Sequence, residues 1–512
     1  MRVTFLGHAG MYVETEGGTV LCDPWFNPAY FGSWFPFPRN DGLDPARFAH
    51  PDYLYISHLH HDHYDPAWLT EHVDQQATVL LPAFELDHLE RALRELGFTK
   101  FVHTEHAKPV ELGGLEVAIL AMTAPADGPA GDSALVLADS SARILNQNDA
   151  RPRDLHELGA LGPFDGHFTQ FSGAIWYPMV YDFPEAEKRE LGIRKRADQM
   201  ERAMHYIRDV HAPHVFPIAG PPCFLDDDLF AFNDLDDDPA NIFPDQAVFL
   251  RELERAGIGG GEMLVPGTVA TMFDGGCVVE QPAGDAAPTA IFGAKRAVIE
   301  RYRDDWRSWL VAARASWPRN DNDVVAALRE WWEPLLDVAP LTRAGVGGAV
   351  LLHLGEVGVL IDFPAGTVRE WSGEPVAYRI DTDRALVESC IERHIEDWVN
   401  ELFLSCRFRA HREGQYNEYV YTFFKCLSLE RMAYCEGHYA SRSEPSDEMF
   451  RCGDYMVQKR CPHLRADLER FGTVDDGVLE CMVHHWQFDL ETGRCITSDD
   501  AEHRLRTTRI TD

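Results

Sequence analysis

The sequence has no uninterrupted apolar run approaching the length of about eighteen residues that a membrane-spanning helix needs. Its opening stretch, MRVTFLGHAGMYVETEGG, lacks the basic and then apolar pattern of a secretion signal. No internal repeat and no low-complexity tract interrupts the 512 residues. We therefore expect a cytoplasmic protein that is long enough for two or three domains.

Positive charge is scarce, because 47 Lys and Arg oppose 83 Asp and Glu, which gives a net charge of −36. Such a surface repels nucleic acid and anionic membranes, so we expect neither as a partner. A solvated acidic surface explains the excess, and a face that docks a basic electron-transfer protein is the alternative. The 11 cysteines are too scattered for a secreted disulfide framework, so we expect reduced thiols, some of them metal ligands.

The first half of the chain alternates between strand and helix patterns. The apolar run PDYLYISH predicts a strand, and Asp65 followed by Pro66 predicts the start of a helix just after it. Further strand patterns and a helix at about 185–210 follow. This order predicts a layered α/β domain over residues 1–285, which ends near the linker-like stretch EQPAGDAAPTA.

Residues 290–428 mix helical and strand patterns and predict an α+β middle domain. The stretch HIEDWVNELFLSCRFRAHREGQYNEYVY resembles sterol-carrier-protein-like modules. We interpret four tryptophans of this region as packing residues: Trp306, Trp309, Trp331 and Trp332. Residues 429–512 are turn-rich and dense in cysteine, which predicts a third, small domain.

Residues 56–66, ISHLHHDHYDP, hold four potential metal ligands at the end of a predicted strand: His58, His60, Asp62 and His63. Because neighbouring side chains diverge on a tight loop, the spacing directs the first histidine pair to one metal and the Asp and His pair beside it. A His-rich surface loop is the alternative. We predict a site for one or two metal ions.

This pattern resembles the metallo-β-lactamase superfamily, and the resemblance extends to the strand ending in LCDPW and to Asp149. It implies an αββα sandwich in which Asp149 lies between a metal on His58 and His60 and a second metal on Asp62 and His63. Asp23 would orient a histidine from behind. A plain turn before Pro24 is the alternative role for Asp23.

Hydrolases of this superfamily supply two further histidines, one before and one after the bridging carboxylate. The corresponding stretches here, TAPADGPAGDSA with Asp127 and FPIAGPPCFLDDD, contain none. A ligand-poor site with open positions suits oxygen-activating iron better than a zinc pair that generates hydroxide. His167, Cys223 and Asp228 could compensate, and structural roles are the alternative.

Near the end of the sequence, RCPHL and ECMVHHWQFDLETGRC contain Cys-x-His and Cys-x-x-His. Such a ligand set suits zinc or an iron–sulfur cluster. The unit resembles a Rieske domain, which implies a [2Fe–2S] cluster with one iron on Cys461 and Cys481 and the other on His463 and His484. Cys452 and Cys495 fall outside the ligand pattern and are expected to pack.

A Rieske cluster moves single electrons and needs an acceptor, which the His58–His63 loop could provide. Four stretches together resemble CMP-N-acetylneuraminate hydroxylase: LCDPWFNPAYFGSWF, YISHLHHDHYDP, ILNQNDARPRD and FPIAGPPCFLDD. The resemblance implies a monooxygenase with a Rieske centre, non-haem iron, O2 and an external electron donor. The domain order departs from that family, because the Rieske unit comes last here.

We therefore predict a monooxygenase that acts on a small molecule and receives electrons from a ferredoxin or a cytochrome. Arg151 and Arg153 could hold an anionic substrate group, and surface arginines are the alternative. Two competing classes are a metal-dependent hydrolase with a redox-sensing Rieske domain and an electron carrier with an inactive lactamase-like scaffold. Electron transfer between subunits of a homo-oligomer stays open.

Overall fold

A computed structural model describes residues 1–124, 128–173, 175–319, 322–441, 448–462, 466–482, 485–497 and 503–510. Its first domain contains an eight-stranded sheet in the order β14-β13-β1-β2-β3-β4-β5-β6. These strands are β1 (Arg2–Gly7), β2 (Gly10–Thr15), β3 (Gly18–Cys22), β4 (Tyr53–Tyr55), β5 (Thr78–Leu81), β6 (Lys100–His103), β13 (Val269–Phe273) and β14 (Gly276–Glu280).

A six-stranded sheet in the order β12-β11-β10-β9-β8-β7 packs against the first sheet. It consists of β7 (Val110–Leu112), β8 (Leu115–Ala124), β9 (Gly128–Ala138), β10 (Arg143–Asn148), β11 (Gly166–Gln170) and β12 (His214–Ile218). Phe5 and Val13 of one sheet share a core with Ile119, Phe168 and Phe216 of the other. Apolar residues that alternate along the strands supply this shared core.

Helices cover the outer faces of both sheets. The first sheet carries α1 (Pro66–His72) and α2 (His88–Glu95), and the second carries α3 (Leu155–Ala160), α4 (Glu185–Val210) and α5 (Gln246–Arg255). The predicted αββα sandwich is confirmed. The α1 helix begins as the sequence predicts, because the Asp65 carboxylate accepts a hydrogen bond from the Trp68 amide and Pro66 occupies the first turn.

The middle domain has a five-stranded sheet in the order β17-β16-β15-β18-β19. Its elements are α8 (Val324–Asp337), α9 (Pro340–Val346), β15 (Ala349–His353), β16 (Gly358–Asp362), β17 (Thr367–Glu370), β18 (Tyr378–Thr382), α10 (Arg384–Glu392), β19 (Phe408–Arg412), α11 (Glu418–Lys425) and α12 (Leu429–Ser441). Trp332 and Trp398 form an aromatic core with Phe423 and Phe424. The prediction of an α+β middle domain is confirmed.

The last domain has two three-stranded sheets in the orders β20-β21-β25 and β22-β23-β24. It comprises β20 (Met449–Cys452), β21 (Tyr455–Gln458), α13 (Leu468–Phe471), β22 (Gly472–Asp475), β23 (Val478–Cys481), β24 (Trp486–Asp489) and β25 (Thr507–Arg509). The small, mainly β architecture agrees with the prediction. None of the helices in the described ranges is both long enough and apolar enough to span a membrane.

Three helices pack against domains that differ from those that their place in the sequence suggested. Met432 and Cys435 of α12 lie in the middle-domain core, although the sequence predicted that residues 429–512 would form the third domain. Residues of α6 (Pro288–Gly293) and α7 (Lys295–Ala315) pack against Phe35 and Cys223 of the first domain. Apolar side chains decide both placements, so in the structure α6 and α7 go with the first domain and α12 with the middle domain.

Candidate metal centre

Four loops meet at one edge of the sandwich. His8 follows β1, Asp23 follows β3, the His58–His63 loop follows β4 and Asp149 follows β10. Both β1 and β3 are antiparallel to β2, and β4 is parallel to β3. The carboxyl ends of β1, β3 and β4 therefore lie at the same edge, which brings distant side chains together on a rigid sheet.

The first group of side chains that could hold a metal ion is His8, Asp62 and His63, and all three are buried. Nε2 of His8 lies 3.0 Å from Oδ2 of Asp62. Nε2 of His63 lies 3.9 Å from the same oxygen. One carboxylate oxygen thus faces two imidazole nitrogens across a space that a cation could share.

The second group is His58, His60 and Asp149. The ring centroids of His58 and His60 lie 4.2 Å apart, and Nε2 of His58 lies 3.9 Å from Oδ2 of Asp149. The other oxygen of Asp149 lies 3.6 Å from Nε2 of His63 in the first group. Asp149 therefore stands between the two groups, as expected for a bridging carboxylate.

The hydrogen-bonding of these atoms fits a metal. Nε2 of His58 and His63 and Oδ1 of Asp149 are buried and have no hydrogen-bond partner within the described residues. A buried polar atom without a partner destabilises a fold by roughly 1–3 kcal/mol. Each group contains two histidines and one carboxylate, which is the ligand set of many non-haem iron centres.

Residues behind the ligands orient them. Oδ2 of Asp23 lies 3.0 Å from Nδ1 of His63, and the Ser57 amide and hydroxyl donate to the same Asp23 carboxylate at 2.7 Å each. Because Nδ1 of His63 is held, Nε2 points to the centre. The Tyr30 hydroxyl donates to Oδ1 of Asp62 at 2.5 Å. The expected supporting role fits Asp23 in the structure.

The protonation of the histidines differs across the centre. Burial lowers the pKa of His58 to about 4 and the pKa of His60 to about 3, which favours the neutral form that binds metals. Burial also lowers the pKa of His63, but the carboxylates of Asp149, Asp62 and Asp23 act more strongly and raise it to about 10. The carboxylates around His63 thus favour positive charge at this position.

Sequence reasoning missed His8 and expected too few ligands. The only signal for His8 in the sequence is its position directly after a predicted strand, in FLGHAG. The proposed compensating residues do not join either group in the described part of the chain. His167 contacts Gln147, Cys223 packs against Phe35 and Asp228 pairs with Arg314. Asp127 lies outside the described residues.

Within the Rieske-like unit, Cys461 and Cys481 are fully buried and share an apolar cluster. His463 and His484, the other two predicted ligands, lie outside the described residues. Cys495 is buried and Cys452 is half-buried against the same cluster, which agrees with packing roles.

The Rieske-like domain docks on the first domain near Asp149. The centroids of the Phe471 ring and the Tyr206 ring of α4 lie 5.6 Å apart. Nη2 of Arg460 pairs with Oδ2 of Asp154 at 3.2 Å. Nη1 of Arg202 in α4 lies 3.4 Å from Nε2 of His485. The cysteine loops therefore face the second sheet of the first domain and its α4 helix.

A small cavity of about 10 Å³ lies within the first domain, beside α4. Its lining includes Asn148, Asp149, Arg151, Arg202 and Tyr206. The space holds about one water molecule. Residues beside the predicted cluster and a predicted metal ligand thus border one cavity within a single chain.

Three family models match separate parts of this chain. A beta-lactamase superfamily domain matches residues 2–131, an Rv3818-like, SCP2-like domain matches residues 324–441, and a Rieske [2Fe-2S] domain matches residues 448–509. The fold and site therefore define a metallo-β-lactamase-fold protein with an SCP2-like middle domain and a C-terminal Rieske [2Fe–2S] domain.

Relatives match the chain over nearly its whole length. A Rieske 2Fe-2S iron-sulfur protein of Mycolicibacterium smegmatis is 46% identical over 99% of this chain and 100% of its own. The protein Rv3818 of Mycobacterium tuberculosis, which bears the same description, is 45% identical over 99% of this chain and 100% of its own. The chain belongs to this family of Rieske 2Fe-2S iron-sulfur proteins.

Solved structures resemble about half of the chain. Igni18, a metallo hydrolase of Ignicoccus hospitalis, is 16% identical with a TM-score of 0.35 and covers 55% of this chain and 99% of its own. CmlA, a diiron beta-hydroxylase of Streptomyces venezuelae, is 20% identical with a TM-score of 0.36 and covers 53% of this chain and 54% of its own. Similarity at this level assigns no reaction.

Proposed function

We propose that this protein is a Rieske-dependent non-haem iron monooxygenase acting on a small molecule. The observation that carries the proposal is the pair of two-histidine, one-carboxylate groups. Asp149 of one group lines a cavity together with Arg202 and Tyr206, which contact the Rieske domain. When bound, the cluster supplies single electrons and the iron supplies the chemistry of O2 activation. The chain must then hold, connect and shield the two centres.

The ligand set supports iron. The two imidazoles and one carboxylate of each group would hold an iron ion, and such a ligand set would supply open positions for O2 activation. Asp23 fixes the ring of His63, and Tyr30 fixes the carboxylate of Asp62, so both ligands keep their orientation when those positions are filled.

The docking of the Rieske domain supports electron transfer within one chain. Arg202 contacts His485, Tyr206 contacts Phe471, and both line the same cavity as Asp149. Electron transfer within one chain would then require no second subunit. An external donor of the ferredoxin or cytochrome type would supply the electrons.

Burial supports the exclusion of water. His58, Asp62 and His63 are nearly inaccessible, and the middle domain approaches the centre through Glu401, whose carboxylate lies 3.5 Å from Nδ1 of His61. A closed site protects a reactive oxidant from side reactions.

A metal-dependent hydrolase with a redox-sensing Rieske domain is the second candidate. The specific observation in its favour is His8, because it fills a ligand position that the sequence left vacant. Two adjacent ions bridged by a carboxylate could activate water as well as O2.

Metal analysis with electron paramagnetic resonance separates the two candidates. We expect anaerobically purified protein to contain iron beyond the cluster, and His58→Ala to lose that iron while keeping the Rieske signal. His50→Ala is the matched control, because the His50 side chain is 79% exposed. Zinc at this centre, with turnover that needs neither reductant nor O2, would overturn the monooxygenase proposal.

A further inference from the structure

A pocket of about 360 Å³ lies between the first domain, α7 and the middle domain. Its volume falls in the range of ligand sites, which is roughly 300–1,000 Å³. Tyr30 and His61 belong to the first domain, Trp309 to α7, and Arg393 and Glu401 to the middle domain. Because both parts of the chain contribute walls, the pocket exists only when the two domains are docked.

The floor of the pocket adjoins the metal centre. Tyr30 lines the pocket and donates its hydroxyl hydrogen bond to Asp62. His61 lies between His60 and Asp62 in the chain, and its ring stacks on Tyr30 with 5.9 Å between centroids and 16° between planes. A molecule in the pocket therefore rests on side chains that touch or adjoin the ligands.

Aromatic rings form the walls. Phe31, Trp309 and Trp317 line the pocket, and Trp309 is 40% exposed, which is unusual for so large an apolar side chain. Gly32 lets Trp309 approach, because a Cβ at Gly32 would lie 3.0 Å from the Trp309 ring. Such rings bind planar groups and cations.

Carboxylates give the pocket a negative end. Glu401 lies in a π-helical turn, Val399–Phe403, and its side chain is only 8% exposed. Its two oxygens lie 3.5 Å from His61 Nδ1 and 3.5 Å from Arg393 Nη1. Both distances exceed a good hydrogen bond, so the carboxylate can accept a closer donor. Glu392 adds a second carboxylate, and Arg393 is the one cation among the lining residues.

We infer that this pocket binds ring-containing small molecules that carry an amine. The ring would pack against Trp309 and Phe31, and the ammonium group would donate to Glu401. The net charge of −36 also draws cations to the protein. The inference rests on the proposed function in one respect, because it names the class of substrate that the adjacent metal centre would receive.

The arginines that the sequence suggested for an anionic substrate occupy other places. Arg151 lines the 10 Å³ cavity of the first domain. Neither Arg151 nor Arg153 lines the 360 Å³ pocket. The 10 Å³ cavity is too small to hold a substrate unless the cavity widens. The carboxylates of the larger pocket thus favour an amine over an anion.

Ligand-observed NMR on the oxidised, metal-loaded full chain tests the inference with phenethylamine and phenylacetate as probes. The two molecules share a phenyl ring and differ in the sign of their charge. We expect phenethylamine to bind at least about tenfold more tightly than phenylacetate. Glu401→Gln should weaken phenethylamine about tenfold, because a charge-assisted hydrogen bond is lost. Trp309→Ala should weaken it further and Trp309→Phe less.

Matched controls lie outside the pocket. Val311→Ala changes an exposed residue of the same helix, and Glu330→Gln removes an exposed carboxylate of the middle domain. Both should bind phenethylamine as the wild type does.

Equal or tighter binding of phenylacetate, or unchanged binding after Glu401→Gln, would overturn the inference. The assay uses no reductant, so it is independent of turnover. Amine binding by a zinc-containing protein without oxygenase activity would overturn the proposed function and leave the pocket assignment intact. Iron and O2-dependent turnover without amine binding would support the proposed function and overturn the pocket assignment.

Discussion

Nε2 of His8 lies 3.0 Å from Oδ2 of Asp62, across the edge of the first sheet. The two residues come from loops after β1 and β4, which meet because these strands run in the same direction. The contact turns the Asp62 and His63 pair into a group of three side chains that could hold a metal ion. It gives both halves of the centre the same composition of two histidines and one carboxylate.

Replacing His8 should therefore remove one metal ion. We expect His8→Ala to contain about one ion fewer per chain outside the cluster, because Asp62 and His63 alone hold a cation weakly. Elemental analysis together with the amplitude of the Rieske signal measures this loss. His50→Ala should keep the wild-type metal content, and full metal content in His8→Ala would rule out His8 as a ligand.

The Asp23 carboxylate should tune metal affinity without binding the metal. Asp23→Asn weakens the interaction with Nδ1 of His63, so we expect metal affinity to fall about 10–100-fold. Competition with a chelator of known affinity measures the change. Asp52→Asn is the control, because Asp52 accepts hydrogen bonds from Thr19 near the opposite end of β3. Equal affinities for both variants would contradict the positioning role.

Much of this centre could be predicted from the sequence, because four of the candidate ligands share one loop and a strand precedes them. His8 could not be predicted, since a lone histidine becomes a ligand only through the order and direction of the strands around it. The same holds for Glu401, which reaches His61 from the middle domain. These contacts depend on tertiary packing, which local patterns do not encode.

Domain boundaries illustrate the same limit. The cysteine in α12 suggested membership of the cysteine-rich tail, but Cys435 lies 3.2 Å from Cys426 in the middle-domain core, measured between the two sulfur atoms. Composition predicted the wrong neighbour for this helix because a buried cysteine behaves as a small apolar residue.

Arg202 should raise the reduction potential of the Rieske cluster. Its Nη1 lies 3.4 Å from Nε2 of His485, and its side chain is buried. Reduction adds a negative charge that a nearby cation stabilises. We expect Arg202→Leu to lower the potential by tens of millivolts in a redox titration. Arg208→Leu is the control, because Arg208 is exposed and pairs with Glu201, and this variant should leave the potential unchanged. An unchanged potential in Arg202→Leu would contradict the prediction.

Lys195 should make stability depend on pH. Burial, followed by Arg151 and Arg202, lowers the pKa of Lys195 to about 7, whereas an unfolded lysine titrates near 10.4. Between about pH 7 and pH 10 the unfolded chain thus holds a proton that the folded chain lacks. The free energy of unfolding should therefore rise with pH in this window, by about 1 kcal/mol per pH unit after allowance for partial exposure.

The variant Lys195→Met isolates this contribution. Below about pH 7 both states of the wild type hold the proton, so the variant should be more stable by a constant amount. Above pH 7 the wild type sheds the unfavourable charge, and the difference between their urea midpoints should shrink steadily toward pH 10. Lys188→Met, on the same helix and paired with exposed Glu185, should show no such trend. A difference that stayed constant from pH 6 to pH 10 would mean that Lys195 keeps its proton at the junction, and the positive charge beside the Rieske domain would then be independent of pH.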